Sequence, residues 1–198
     1  MTLSPNNPAS NRKRIAGFTL TEVLVAALIG VMVLTGVLTT FVMLVRSEVR
    51  LENYSTMETQ VRRSFEQMGI DARMANGFAS HFTNGVITSF TLTIPSEDMS
   101  TVTLATYGYD STNKELFFVP NTSDPTVTTG RQNLMENVTT LTFLRYDSSG
   151  TLIAASTTSD AHIKHIQVSI TASSTNVGAV AATQVIRSSA FTIRNITI

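Results

Sequence analysis

From Val23 to Val45 the chain runs for 23 residues, VLVAALIGVMVLTGVLTTFVMLV, without one charged side chain. At about 1.5 Å per residue, a helix of that length crosses a hydrocarbon core of about 30 Å. Lipid offers no partner to backbone N–H and C=O groups, so a single apolar span is confined to the helix, which satisfies them internally. The run is too long for the apolar core of a conventional signal peptide, about 7 to 15 residues. Arg46 to Arg50 beyond it is charged and helix-like rather than a small-residue cleavage signature. Any processing site therefore lies on the N-terminal side. There Arg12, Lys13 and Arg14 are the only cations of the first 17 residues, with no Asp or Glu among them. A basic leader before a span predicts a cytoplasmic N-terminus and an exported C-terminal domain.

Charge and cysteine content narrow the rest. Without that leader, 11 Lys and Arg face 14 Asp and Glu, a formal charge of −3 with His neutral. This balance gives no reason to expect a nucleic-acid partner. The absence of Cys excludes disulfide frameworks, thiolate metal sites and thiol nucleophiles. An exported domain of this kind is then held by its core alone.

The segment joining leader and span reads Arg12-Lys-Arg-Ile-Ala-Gly17-Phe18-Thr-Leu-Thr-Glu22-Val. It resembles the class III signal of type IV prepilins and type II secretion pseudopilins. The resemblance implies that a prepilin peptidase cuts between Gly17 and Phe18, that Phe18 becomes the N-methylated terminus, and that the apolar helix stays attached. It also implies partners: other pilins or pseudopilins through the N-terminal helix, an inner-membrane assembly platform, and the lipid bilayer. Glu22 then enters the membrane four residues after the new terminus. An unpaired carboxylate there costs about 2.5 kcal/mol or more near the bilayer centre. The α-amine created at Phe18 can neutralise the Glu22 of a neighbouring subunit, an assembly salt bridge. Thr19 and Glu22 also have the spacing of a capping box, which satisfies free N–H groups in the first helical turn; both roles can hold in different states. Many major pilins carry a proline inside this helix. Here none lies between Pro8 and Pro95, and Gly36, Thr39 and Thr40 are the residues that could soften the same region. Gly30 and Gly36 are six apart, off the four-residue spacing of the membrane dimer motif.

Helical periodicity continues past the span. Tyr54, Met57, Val61, Phe65, Met68 and Ala72 recur three or four residues apart, one amphipathic face. Glu52, Glu58, Arg62, Arg63 and Glu66 lie between them as a solvated surface. The pattern predicts a helix from about Phe18 to Ala75, ended by Asn76-Gly77 as a C-cap, with only its second half laid on a soluble domain. From residue 86 the period changes to two. Strands are predicted at Val86 to Ile94, Thr101 to Tyr107, Glu115 to Val119, Val138 to Tyr146, His162 to Thr171 and Ser189 to Ile198. Turns are expected at Tyr109 to Asn113 and Asp147 to Gly150. Thr122 to Gly130 and Ser173 to Thr183 read as loops or mobile hairpins. The expected organisation is a cleaved leader (1–17), a transmembrane half-helix (18–45), an amphipathic half-helix (46–76) and an extracytoplasmic β-rich domain (77–198). The fold class is α+β: a long N-terminal helix packed by its second half on an antiparallel sheet.

Within that domain Val138 to Gly150, Ile166 to Thr171 and Phe191 to Asn195 resemble the C-terminal region of GspJ/PulJ-type minor pseudopilins and PilW-type minor pilins. This resemblance implies a minor, tip or priming subunit in the inner membrane and then in the filament. Residue chemistry offers no competing enzyme. His162 and His165, three apart on a strand, point to opposite faces; His81 stands alone. Glu97-Asp98 with Asp110 or Asp124 could assemble an oxygen cage for Ca2+, but no loop has ligands at defined spacing. No nucleophile elbow, P-loop or dinucleotide fingerprint is present. The sequons Asn137-Val-Thr139 and Asn195-Ile-Thr197 are expected by chance in so Thr-rich a chain. No metal, cofactor or catalytic residue is assigned. A receptor or enzyme domain tethered by the same helix shares this local physics and stays open as the alternative.

Overall fold

The computed structural model describes residues 17–96, 100–154, 163–174 and 183–193. A single α-helix, α1 (Leu20–Met74), precedes nine strands: β1 (Gly77–Thr83), β2 (Ile87–Pro95), β3 (Val102–Asp110), β4 (Glu115–Pro120), β5 (Gln132–Met135), β6 (Val138–Tyr146), β7 (Leu152–Ile153), β8 (His165–Ser174) and β9 (Thr183–Thr192). All pairings are antiparallel. One sheet has the order β1-β2-β3-β4-β5 and the other β7-β6-β8-β9. The architecture is α+β, with α1 followed by antiparallel sheets. Two compact units divide after Val45.

In the second unit α1 buries Met57, Val61, Ser64, Met68 and Ala72. Phe65 is half-buried and packs edge-on against Phe191 of β9, centroids 5.9 Å apart. The predicted face is therefore right in its centre and wrong at two places. Tyr54 lies exposed at its margin, where its hydroxyl accepts a hydrogen bond from Arg187 Nη2 at 3.2 Å. Ser64 is buried instead, its hydroxyl turned back onto the Gln60 carbonyl at 2.8 Å, which lets a small polar residue enter a core. Glu58, expected in the solvated surface, pairs with Arg187 at 2.9 Å.

The helix stops without the left-handed glycine cap that Asn76-Gly77 suggests. Ala75 still donates to Asp71 O, but Asn76 N–H is taken by Thr93 O of β2, and Gly77 opens β1 directly. The six predicted strands correspond to β2, β3, β4, β6, β8 and β9, and three were missed. β1 carries Gly, Ala, Ser and His in place of β-branched residues, β5 has four residues and β7 two, all too weak for a period-two signal. The last predicted strand is displaced, because β9 begins at Thr183 to complete a ten-residue pairing with β8.

β8 alternates cleanly, with Ile166, Val168, Ile170 and Ala172 buried and their neighbours half-buried. In β3 every residue from Ala105 to Asp110 is buried, so both faces of that strand are covered. Tyr107 joins the large core with Met68, Phe90, Leu116 and Ile166. The opposite face is covered in part by the Thr122 to Gly130 segment. Thr106 Oγ1 donates to Thr122 O and shares a 2.8 Å hydrogen bond with Thr91 Oγ1, while Val127 packs on Ile87, Phe117 and Val119. This segment is thus an ordered cover and not the variable surface its composition suggests. Both expected turns form. Asp110 Oδ1 accepts Thr112 and Asn113 N–H, and Asp147 Oδ1 accepts Ser149 and Thr151 N–H ahead of Gly150 at φ 81°.

The bond joining α1 to the first sheet is testable. Tyr107 OH donates to Asp71 Oδ2 at 2.5 Å. Burial pushes the Asp71 carboxyl up against the opposing pull of this bond, and burial followed by the bond to Asp71 pushes the Tyr107 phenol well above its ordinary value. Both shifts keep a proton on the pair. A phenol raised in the fold contributes stability that is complete below its unfolded value, about 10, and is lost as pH rises beyond it. Tyr107→Phe is expected to lower stability at neutral pH by about 1.5–3 kcal/mol, the range for a bond to a charged acceptor. It should also flatten the alkaline loss above about pH 10. Urea unfolding of both forms at pH 7 and in the alkaline range checks it; parallel curves would defeat the assignment.

Candidate functional site

The N-terminal end of α1 carries a reciprocal cap. Glu22 N–H donates to Thr19 Oγ1 at 3.3 Å, while Thr19 N–H and Oγ1–H both reach Glu22 Oε2 at 3.0 Å. The first intrahelical bond, Val23 N–H to Thr19 O at 3.2 Å, follows. Thr19 is therefore the N-cap and Glu22 its third helical residue, a capping box. The bonds fall on Oε2, and among the described residues none falls on Oε1. Gly17 and Phe18 precede the helix without regular structure, Phe18 being 85% exposed. A Cβ at Gly17 would meet nothing within 4 Å. An extended, uncrowded Gly-Phe peptide is what a protease needs to reach. Arg12, Lys13 and Arg14 lie outside the described residues.

Beyond the cap, every large apolar side chain from Val23 to Val45 stands at least 41% exposed. The polar atoms of the span are answered inside it. Thr35, Thr39 and Thr40 hydroxyls donate to the carbonyls of Val31, Thr35 and Gly36 at 2.8, 2.8 and 3.0 Å. Each Thr then presents its methyl outward, and α1 continues unbroken through Gly36. It is the one helix among the described residues long and apolar enough to cross a membrane. Glu22 is the exception, the only ionisable side chain of α1 before Arg46.

The remaining candidates do not come together. His165 Nδ1 lies 3.0 Å from Thr192 Oγ1, and His162 falls outside the described residues. Glu97 and Asp98 also fall outside. Asp110 is occupied by its turn and by Arg131 Nη2 at 3.5 Å, and Asp124 by Thr126. Burial would raise the Asp110 carboxyl, but bonds from Asn113 and Thr112 and the Arg131 charge hold it below its usual value. Among the described residues no three His, Asp or Glu side chains are placed to hold a metal. Sequence reasoning missed the contacts of Glu58 with Arg187 and Asp71 with Tyr107, which join residues far apart in the chain. Local spacing carries no signal for either.

Fold and site together define an α+β protein with a membrane-type N-terminal helix whose one acidic residue sits in its first turn. Residues 12–38 match the family model for the prokaryotic N-terminal methylation motif. That match supports a type IV pilin-like or pseudopilin subunit, and the motif implies prepilin peptidase processing and pilin assembly in general. It covers the cap and the first half of the span, and none of the sheet domain. No curated protein matches the chain.

Proposed function

We propose that this chain is a structural filament subunit, a minor component of a type II secretion pseudopilus or a type IV pilus that works at the tip or in priming, with no catalytic role. The peptidase releases residues 1–17 and methylates Phe18, and the new ammonium answers Glu22 of a neighbouring subunit. The leader cations hold the N-terminus on the cytoplasmic side, and the sheet domain is exported from the inner membrane. The observation that carries this reading is the isolation of Glu22. It follows Gly17-Phe18 by a few residues within the matched motif and is the sole ionisable group in the apolar half of α1. An α-amine has an ordinary value of about 7.7–8.0 and is protonated at neutral pH, so it supplies the required charge. The minor-subunit assignment rests on the resemblance of the sheet domain to GspJ/PulJ and PilW types.

Mass spectrometry of the membrane form, made with and without a prepilin peptidase, tests the processing. The expected result is a chain beginning with N-methylated Phe18 only where the peptidase is present. An intact Met1 to Gly17 leader in both preparations would overturn the reading.

A further inference from the structure

The side of α1 turned away from its buried stripe is segregated by charge. Glu48, Glu52, Ser55, Thr59 and the pair Arg62 and Arg63 follow one another at three- and four-residue steps, and all are exposed. They form one stripe, acidic at its start, small and uncharged in the middle, and basic beyond. Two copies of this stripe laid parallel and level would oppose Glu to Glu and Arg to Arg. Displaced by the eleven residues from Glu52 to Arg63, three turns or about 16 Å along the axis, Glu52 of one copy meets Arg63 of the other. Glu48 then comes within one turn of the same arginines. Thr59 faces Ile70, and Ser55 rather than a second acid faces Glu66. An antiparallel pairing would also join the charges, but two copies anchored in one bilayer by the same helix share their direction.

We infer that this stripe is a docking surface for a second copy of this chain, parallel and offset by about three helical turns. The inference rests on the filament reading and deepens it, since two copies in a priming cluster suffice to make the contact. Exposed ion pairs add little affinity, but like charges opposed at the wrong offset are penalised, so the pattern selects register.

The absence of Cys makes cross-linking clean. Full-length chains carrying Thr59→Cys and Ile70→Cys, each with its own tag, are co-expressed with the peptidase and oxidised in membranes. Neither substitution touches the charges. The mixed product is expected to exceed the Thr59→Cys homodimer by about fivefold, the scale of two exposed pairs gained and two repulsions avoided. Glu52→Arg or Arg63→Glu alone should remove that excess, and both reversals in every copy should restore it. A dominant Thr59→Cys homodimer, no mixed product, or no restoration would overturn the proposal. Leader removal is measured on the same samples. Unprocessed chains would defeat the filament reading itself, whereas processed chains without the mixed product would defeat only this contact.

Discussion

Glu22→Val is expected to abolish incorporation into filaments while leaving the chain inserted and its sheet domain folded. The side chain lies in the first turn of α1 and bonds only to Thr19 among the described residues. None of the domain core, which begins at Met57, depends on it. Insertion should improve, because valine removes a carboxylate worth about 2.5–3.5 kcal/mol of penalty in the bilayer centre. Assembly should fail, because the neighbour's ammonium is left unpaired in a low-dielectric environment. Removing one partner of a buried pair costs about 3–5 kcal/mol, a hundredfold or more in a docking equilibrium. Thr19→Ala separates the two roles of the cap. It removes the hydroxyl that receives Glu22 N–H, costing about 1 kcal/mol of helix start, and leaves the carboxylate in place. Filament recovery by shearing, compared with membrane content, checks both. Normal filaments from Glu22→Val would favour a domain tethered for another purpose.

Gly108→Ala is expected to destabilise the sheet domain by about 2–3 kcal/mol, near the upper range for overpacking. Gly108 on β3 lies directly opposite Phe117 on β4, and the Phe117 ring lies over it. A Cβ at Gly108 would fall 2.3 Å from Phe117 Cζ. The ring cannot lift away, for the Arg131 guanidinium stacks on it at 3.5 Å and is itself held by Glu115 at 3.2 Å. Ile87 and Val119 complete the cluster around a fully buried Phe117. Phe117→Leu alone should cost about 1 kcal/mol or more through a cavity. Combined with Gly108→Ala, it should cost less than the sum, since the missing ring atoms vacate the space the methyl needs. Urea midpoints of the fragment from Arg46 test this, and additive losses would sink it.

Much of the first half of this protein was legible because its determinants are local. An uncharged run long enough for a bilayer, a Thr19/Glu22 cap and a three-four apolar repeat each act within a few turns of one helix. Their consequences appear as read, from the reciprocal bonds of the cap to the burial of Met57, Val61, Met68 and Ala72. β2, β3, β4, β6 and β8 were legible for a similar reason, since alternating burial imprints a period of two.

Tertiary structure decided what depends on residues distant in the chain. The division of nine strands into two sheets follows from pairing partners, and no single strand encodes its partner. β9 begins where β8 needs it, and not where the apolar pattern is strongest. Glu58 and Asp71 look solvent-facing from spacing alone; Arg187 and Tyr107, brought in from other strands, turn them into contacts of the helix with each sheet. Gly108 reads as an ordinary weak point in a strand until the ring of Phe117 lies across it. Local sequence determines the helix, its cap and its membrane length, because those interactions close within a few residues. Which faces meet, and which polar groups are carried inside, is decided only when the folded chain supplies partners from elsewhere.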